Sequence, residues 1–397
     1  MNTRIFSKIL ESLKSISEKV LLIKHGKIKN YRTSFHFLNI ALFLLFIGVS
    51  LTILNSCNKN ATKKDTPTEV IIYPPPPDQA RFQFLTKISS SDDLGKKQGA
   101  FSKLVLGAQK PSKMVKPYGI AIYKGKIYVC DNYTGGLEVI DLEKKRFDYF
   151  RPTGRGQLRL PINCYVDEKG YLYVADAGRL EIVVFDANGN FVRSFGDKVD
   201  KFKPSDVCVY DNKVFVANIL NGKINVFAND STNKLLYTFP NQNDSTNNLC
   251  SPSNIAVSMG RVYASDFGCS MIRIFSTDGT FISNVGSLGD LPGQFTKIKG
   301  IAVDSEANVF AVDALFDNLQ IFNKEGKLLM PLSGHYNGPG GLVSPAKVII
   351  DYDNLKYFQK YVDPAFDLKY LVIVTSQYGP DPINIYGRVE PKTKPTK

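Results

Sequence analysis

Six similar β-rich segments predict an all-β fold for this chain of 397 residues, a β-propeller of six four-stranded blades. Three observations carry the prediction. The segments start every 43 to 48 residues, each holds strings of β-branched and aromatic residues separated by turns, and none shows a long helical period. A lone sheet of this size leaves both faces exposed, whereas six sheets arranged radially cover one another. We expect an N-terminal strand to close the last blade, after a signal or anchor segment.

The N-terminus carries an export signal. Phe37 to Leu54 is almost uninterruptedly apolar and follows a basic segment. The residues Leu54, Asn55, Ser56 and Cys57 resemble the bacterial lipobox, whose cysteine takes the lipid. We therefore predict a lipoprotein-type signal over residues 1–57 and lipidation at Cys57, with an uncleaved signal anchor as the alternative. Either form places the rest of the chain outside the cytoplasm, and the lipoprotein form predicts a location in the bacterial cell envelope, lipid-anchored on the periplasmic side or the outer surface.

Composition and charge bound the function. Charged residues at 22%, with Gly 30 and Pro 21, exclude a wholly disordered, collagen-like or multispan membrane protein. The formal charge is +13, of which residues 1–57 hold +6, so the remainder is mildly basic. This charge suits an anionic partner, but the Lys/Arg runs typical of nucleic-acid binding are missing, and export also disfavours nucleic acid.

The domain boundaries follow from composition. Residues 58–79 are polar and then Pro-rich, which predicts an extended linker. Residues 80–390 form the predicted propeller, and 391–397 a disordered tail.

Each repeat supplies its strands in a fixed order. The first strings open at Pro117, Pro161, Pro204, Pro252, Ile298 and Pro345. The second strings end in a short polar residue: Asp131, Asp176, Asn218, Asp266, Asp313 and Ser376. A short carboxylate or amide there can accept hydrogen bonds from loop N–H groups, so we interpret the five Asp and Asn residues as structural. Blade six has only three strings after Pro345, and the string 81–88 is predicted to supply its outermost strand.

The repeat resembles a known family. The string Pro-Tyr-Gly-Ile-Ala-Ile from Pro117, the strings ending at Asp131 and Asp176, and the linker Gly286 to Phe295 resemble the NHL repeat over roughly residues 80–388. The lipobox, the Pro-rich linker and the C-terminal strings resemble bacterial envelope lipoproteins of this repeat class. That resemblance implies binding platforms, often found alongside multihaem c-type cytochromes, and says little about chemistry.

Basic residues precede several of the first strings, in linkers that share one face of the ring with the loops after each second string. We predict a partner-binding rim there, composed of Lys113, Lys116, Arg155, Arg159, Lys198, Lys201, Lys203, Lys297 and Lys299. Convergence of these charges would attract an acidic partner. The alternative is that they are ordinary solvated loop residues.

A cation site is a second candidate. Asn163, Asp206 and Asn254 occupy one position of consecutive first strings, and Gly119, Gly300 and Lys347 complete that ring. Carboxylate and amide oxygens bind hard cations such as calcium. The three resemble part of the metal site of lactonase-like propellers, which also need a further acidic ligand and a catalytic base. The alternative is that they hydrate the channel.

The cysteines and one insertion complete the sequence. Cys250 and Cys269 fall on loops of the rim, where a disulfide is plausible in an oxidising compartment, whereas Cys130, Cys164 and Cys208 occupy strand positions. The aromatic insertion 351–369 is expected to cover the opposite channel mouth or to offer a docking patch.

We therefore expect a membrane-anchored, non-enzymatic propeller that serves as a protein-binding or assembly scaffold in the envelope. Its partners would be envelope proteins, acidic or of cytochrome type, with no cofactor and no catalytic residues. A Ser/His/Asp arrangement is disfavoured because His335 is the one histidine after the signal. The alternative is a metal-dependent lactonase- or hydrolase-like enzyme with a cation at the channel mouth.

Overall fold

The computed structural model describes residues 70–95, 110–197, 200–240, 247–336 and 338–392. In these ranges the chain forms six antiparallel sheets, which confirms the all-β six-bladed propeller. The predicted signal over residues 1–57, Cys57, most of the predicted linker and Lys198 lie outside the described residues. No helix in the described ranges has the length and apolar character needed to cross a membrane.

Blades one to five each contain four strands in sequential order from the channel outwards. Blades one to three comprise β3 (Pro117–Tyr123), β4 (Lys126–Asp131), β5 (Gly136–Asp141), β6 (Arg146–Phe150), β7 (Pro161–Val166), β8 (Leu172–Asp176), β9 (Glu181–Phe185), β10 (Phe191–Phe195), β11 (Pro204–Tyr210), β12 (Lys213–Asn218), β13 (Lys223–Ala228) and β14 (Leu235–Phe239). Blades four and five comprise β15 (Pro252–Ser258), β16 (Arg261–Asp266), β17 (Met271–Ser276), β18 (Phe281–Val285), β19 (Ile298–Val303), β20 (Val309–Asp313), β21 (Asn318–Phe322) and β22 (Leu328–Leu332). The inner strand of each blade packs beside those of its two neighbours, and β3 contacts the inner strand of blade six, so the ring is closed.

Blade six is completed from the other end of the chain. Its sheet runs from β23 (Pro345–Asp351) through β24 (Phe366–Ser376) and β25 (Ile383–Pro391) to β2 (Phe82–Ile88), which pairs antiparallel with β25. This confirms the N-terminal closing strand. A further short strand, β1 (Ile72–Tyr73), pairs with β2 at the outer edge. The residues just before the propeller, predicted as part of a linker over 58–79, therefore belong partly to the sheet.

The core lies between blades. The third strand of five blades carries a large aromatic residue that is at most 1% exposed: Phe185, Phe227, Phe275, Phe322 and Tyr386. The ring of Phe275 lies 5.3 Å from that of Phe239, and both belong to an apolar cluster shared by blades three and four. Because each aromatic ring is buried against a neighbouring sheet, no blade is apolar on only one side.

The insertion in blade six packs mainly at the junction between blades six and one. Its two short 3-10 turns, Leu355–Tyr357 and Gln359–Tyr361, contact these two blades, while residues 351–353 line the opening of the channel. The predicted docking patch stays a prediction. Phe358 is 2% exposed, and the backbone N–H of Gly125 donates to Asn354 Oδ1 at 2.7 Å. The insertion therefore seals the junction at which the ring closes.

Candidate functional site

The candidate site is built from the third residue of each inner strand. Gly119, Asn163, Asp206, Asn254, Gly300 and Lys347 form one layer across the channel. The side chains of Asn163, Asp206 and Asn254 are fully buried and that of Lys347 is 6% exposed, so the layer closes the channel. The sequence predicted that Asn163, Asp206 and Asn254 would meet, and the structure brings Asn163 and Asn254 into direct contact. Asn163 Nδ2 lies 3.3 Å from Asn254 Oδ1 and 2.8 Å from the carbonyl oxygen of Ser205.

The charge in this layer is balanced by an ion pair across the channel. The ammonium group of Lys347, in blade six, contacts Asp206 Oδ2, in blade three. Asp206 also accepts hydrogen bonds from the backbone N–H groups of Val207 and Ile255, each at 2.9 Å. Burial raises the pKa of Asp206, and Lys347 opposes that rise. Where a hard cation would be expected, the chain supplies its own positive charge.

Glycine is required in the layer where neighbouring inner strands approach closely, as at Gly119. Asn163 Oδ1 has no hydrogen-bond partner among the described residues, and a Cβ atom at Gly119 would lie 2.5 Å from it. A side chain at this position would displace Asn163, so Gly119 allows the inner strands of blades one and two to approach.

Below this layer the channel is a blind cavity. Its volume is about 410 Å³, and its wall combines apolar residues of all six inner strands with Lys347 at the closed end. The open end lies on the face that carries the turns after each inner strand, beside Tyr123, Glu168 and Asp353. The two faces of the propeller are therefore separate surfaces.

The polar residues that end the second strands are structural, as interpreted from the sequence. Asp176 accepts hydrogen bonds from the backbone N–H groups of Arg159 and Leu160 in the preceding linker at 2.7 and 2.9 Å. The equivalent residues Asp131, Asn218, Asp266 and Asp313 accept hydrogen bonds from the linkers into their own blades in the same way. These contacts hold the linkers and the loops after the second strands together on one face, which we call the rim.

The predicted basic residues are distributed unevenly over the rim. Those whose side chains are exposed are Lys113, Arg155, Arg159, Lys201, Lys203 and Lys297. Lys116 and Lys299 are half-buried, and both lie against aromatic rings at the channel mouth, those of Tyr378 and Tyr118 respectively. Arg155 and Arg159 line a separate polar pocket of about 280 Å³ with Arg179 and Glu181.

The rim also has an apolar component, which was not predicted from the sequence. The loop after the second strand of each blade exposes one large apolar or aromatic side chain: Tyr133 (77% exposed), Leu180 (49%), Leu220 (52%), Phe267 (37%), Leu315 (61%) and Tyr378 (56%). Single exposed apolar residues are common, but one from every blade at an equivalent loop forms a pattern of the kind found at binding surfaces. Alignment of the repeats could have revealed this pattern, since each apolar residue lies one to four positions after the polar residue that ends the second strand.

The rim also carries a disulfide. Cys250 and Cys269 are bonded, with their Cα atoms 5.8 Å apart, and Asp266 Oδ2 accepts a hydrogen bond from the N–H of Cys250 at 2.8 Å. The free thiols of Cys130, Cys164 and Cys208 are buried, and burial raises the pKa of the Cys208 thiol to about 12. These three are unreactive packing residues.

Comparisons with known proteins support the fold. The DUF5128 family, described as a 6-bladed beta-propeller, matches residues 242–316. No curated protein matches the chain. A solved protein of unknown function from Bacteroides thetaiotaomicron is 14% identical, with a TM-score of 0.52, and the alignment covers 79% of this chain and 77% of that one.

Two solved enzymes are also similar in structure. A gluconolactonase from Xanthomonas campestris is 15% identical with a TM-score of 0.50, over 78% of this chain and 90% of its own. A virginiamycin B lyase from Staphylococcus aureus is 10% identical with a TM-score of 0.47, over 70% of this chain and 85% of its own. At these identities the likeness concerns the propeller fold and says nothing of activity.

Proposed function

We propose that this protein is a lipid-anchored, non-enzymatic propeller whose rim binds an acidic protein of the bacterial envelope. The observation that carries the proposal is the rim itself, which combines exposed basic side chains from blades one, two, three and five with one exposed apolar side chain from every blade. Basic groups steer an acidic partner and select against basic ones, while buried apolar and aromatic contacts supply most of the binding energy.

The location and the kind of partner rest on the sequence. The lipobox-like segment ending at Cys57 supports an anchor in the envelope, and residues 58–69 leave a spacer between that anchor and β1. The resemblance to NHL-type envelope lipoproteins makes a multihaem c-type cytochrome, or another envelope assembly protein, the partner to test first.

The channel layer supports a binding role over the hydrolase alternative. A cation held by Asn163, Asp206 and Asn254 would have to displace the ammonium group of Lys347, which is tethered to the same chain. Asp206 is likewise committed to that ion pair and to two backbone N–H groups, so it is not free to act as a general base. The layer is therefore better suited to hold blades three and six together than to activate a water molecule.

The test is capture of the partner by the full chain from detergent-solubilised envelope. Changing Lys201→Glu and Lys203→Glu reverses two exposed charges of the rim. The expected result is at least a tenfold loss of captured partner, because several kcal/mol of unfavourable like-charge contact is introduced at the interface.

The matched control reverses two lysines of the opposite face. Lys324 and Lys327 are exposed and lie in the turn between β21 and β22, so Lys324→Glu with Lys327→Glu should leave capture unchanged. Equal capture by the rim variant and the unmodified chain would rule out the rim as the binding surface.

A further inference from the structure

Three lysines gather where the rim meets the channel mouth. Lys299 is the second residue of β19, is half-buried, and its Nζ donates a hydrogen bond to Gln377 Oε1 at 2.5 Å. The same Nζ lies 5.4 Å from the ring centroid of Tyr118, the second residue of the inner strand of blade one. Lys299 therefore lies above blade six, between the inner strands of blades five and one.

Two further lysines of the same face act on Lys299. Lys116 Nζ lies 5.6 Å from the ring centroid of Tyr378, which follows Gln377 in the chain, and Lys297 Nζ lies 5.8 Å from that of Phe267. Burial lowers the pKa of Lys299 to about 8, and the positive charges of Lys297 and Lys116 add to this effect. Both groups therefore repel the ammonium group of Lys299.

No carboxylate of the described residues forms an ion pair with these three ammonium groups. Asp131 and Asp313 accept hydrogen bonds from the backbone N–H groups of Lys116 and Lys297, and the direct partner of the Lys299 ammonium group is a neutral amide. Asp206, in the layer below, is already paired with Lys347. A cation–π contact at an exposed site stabilises an ammonium group less than a charge-assisted hydrogen bond to a bound carboxylate does.

We propose that Lys116, Lys297 and Lys299 form a carboxylate-binding pocket at the channel mouth, which takes Glu or Asp side chains from an acidic segment of the partner. The inference rests on the proposed function, since it names the chemistry by which the rim recognises that partner. A bound carboxylate brings the missing negative charge to three ammonium groups. Tyr118 and Tyr378 flank the pocket with apolar surface, which suits the methylene groups of a glutamate.

The test measures binding of a fluorescein-labelled hexaglutamate peptide to the full chain in detergent, by anisotropy at low salt and about pH 7. Lys299→Gln removes the charge and keeps most of the side chain, and it should weaken binding about tenfold or more, the loss typical of one charge-assisted hydrogen bond. Lys299→Arg should restore most of it. Lys324→Gln, in the same blade on the opposite face, makes the same change of net charge and should shift the affinity less than twofold.

Each outcome decides the inference. Equal affinities of the Lys299→Gln and Lys324→Gln variants would overturn it, as would binding of inorganic phosphate as tight as that of the peptide. If Lys299→Gln lowers the melting temperature, the exposed Lys297→Gln replaces it with the same expectation. Partner capture that survives Lys299→Gln but is lost with the Lys201 and Lys203 reversals would refute the pocket and leave the proposed function standing.

Discussion

Replacing Lys347 with methionine tests whether its ammonium group stands where a cation would bind. Methionine retains the length of the side chain and removes its charge, so Asp206 remains buried with two backbone N–H groups as its hydrogen-bond donors. Breaking a buried ion pair by removing one partner costs about 3–5 kcal/mol. The two remaining hydrogen bonds place the expected loss of unfolding free energy at the lower end, about 3 kcal/mol near neutral pH.

The loss should depend on pH with a definite sign. Burial raises the pKa of Asp206 above its ordinary value, and without Lys347 that pKa rises further. As pH increases, the unfolded chain gives up this proton first, near its ordinary pKa of about 3.9, and the folded chain resists doing so. The contribution of the protonated Asp206 carboxyl to the free energy of unfolding is therefore fully present below about pH 4 and is lost as pH rises through the folded-state pKa. The free energy of unfolding that Lys347→Met loses should be smallest in acid and largest at neutral pH.

Urea denaturation of the full chain in detergent across this pH range provides the measurement. Lys324→Met, an exposed site, should change stability by at most about 0.5 kcal/mol, and the double variant Asp206→Asn with Lys347→Met should recover much of the loss. Calcium titration of the same proteins should raise the melting temperature of Lys347→Met and leave that of the unmodified chain unchanged. A calcium-dependent rise in the unmodified chain, abolished by Asp206→Ala, would refute our account of Lys347 and favour the metal-dependent hydrolase.

Three further changes test the fold and the pocket. Phe82→Ala should lower the free energy of unfolding by about 3–5 kcal/mol, because the ring of Phe82 is buried, 3% exposed, against those of Phe310 and Tyr370. The whole ring should still unfold in a single transition, and two separate transitions would contradict closure by β2. Replacing both Cys250 and Cys269 with serine should lower the free energy of unfolding by about 3 kcal/mol, as expected for a crosslink that spans 19 residues. A reductant should not destabilise this variant further. The free energy of unfolding should rise between about pH 8 and 10, because Lys299 loses its proton in the folded chain at a lower pH than in the unfolded chain. Urea titrations of Lys299→Gln should lack this part of the rise.

The repeats made most of the fold predictable. Six copies at a nearly constant spacing fix the number of blades, and the lack of a fourth string after the last copy required an outer strand from the N-terminus, which β2 provides. The short β1 strand was not predicted because two residues before a run of prolines carry no periodic signal. The docking of the insertion at the closing junction depends on which apolar side chains face Phe358 in three dimensions, and its sequence says only that it is aromatic.

The candidate site was predictable as a set of positions and not as a set of contacts. Alignment of the repeats placed Asn163, Asp206 and Asn254 in one ring and also placed Lys347 there. What it could not supply was the distance across the channel, which decides whether a lysine in blade six points to solvent or reaches a carboxylate in blade three. A cation site and an internal ion pair need the same acidic residue, so the sequence alone left both open.

The ion pair in the channel layer bears on the proposed pocket above it. Lys347 already holds the carboxylate of Asp206, so on our proposal this carboxylate does not compete with a partner's carboxylate for the lysines at the mouth. The glycine at the third position of β19 contributes to this arrangement, since a Cβ atom at Gly300 would lie 2.5 Å from the Cα atom of Lys347 and would push the two inner strands apart. If the proposed function is correct, the ion pair that occupies Asp206 has two effects, since it keeps this residue from acting as a general base and leaves the lysines at the mouth to a partner's carboxylate.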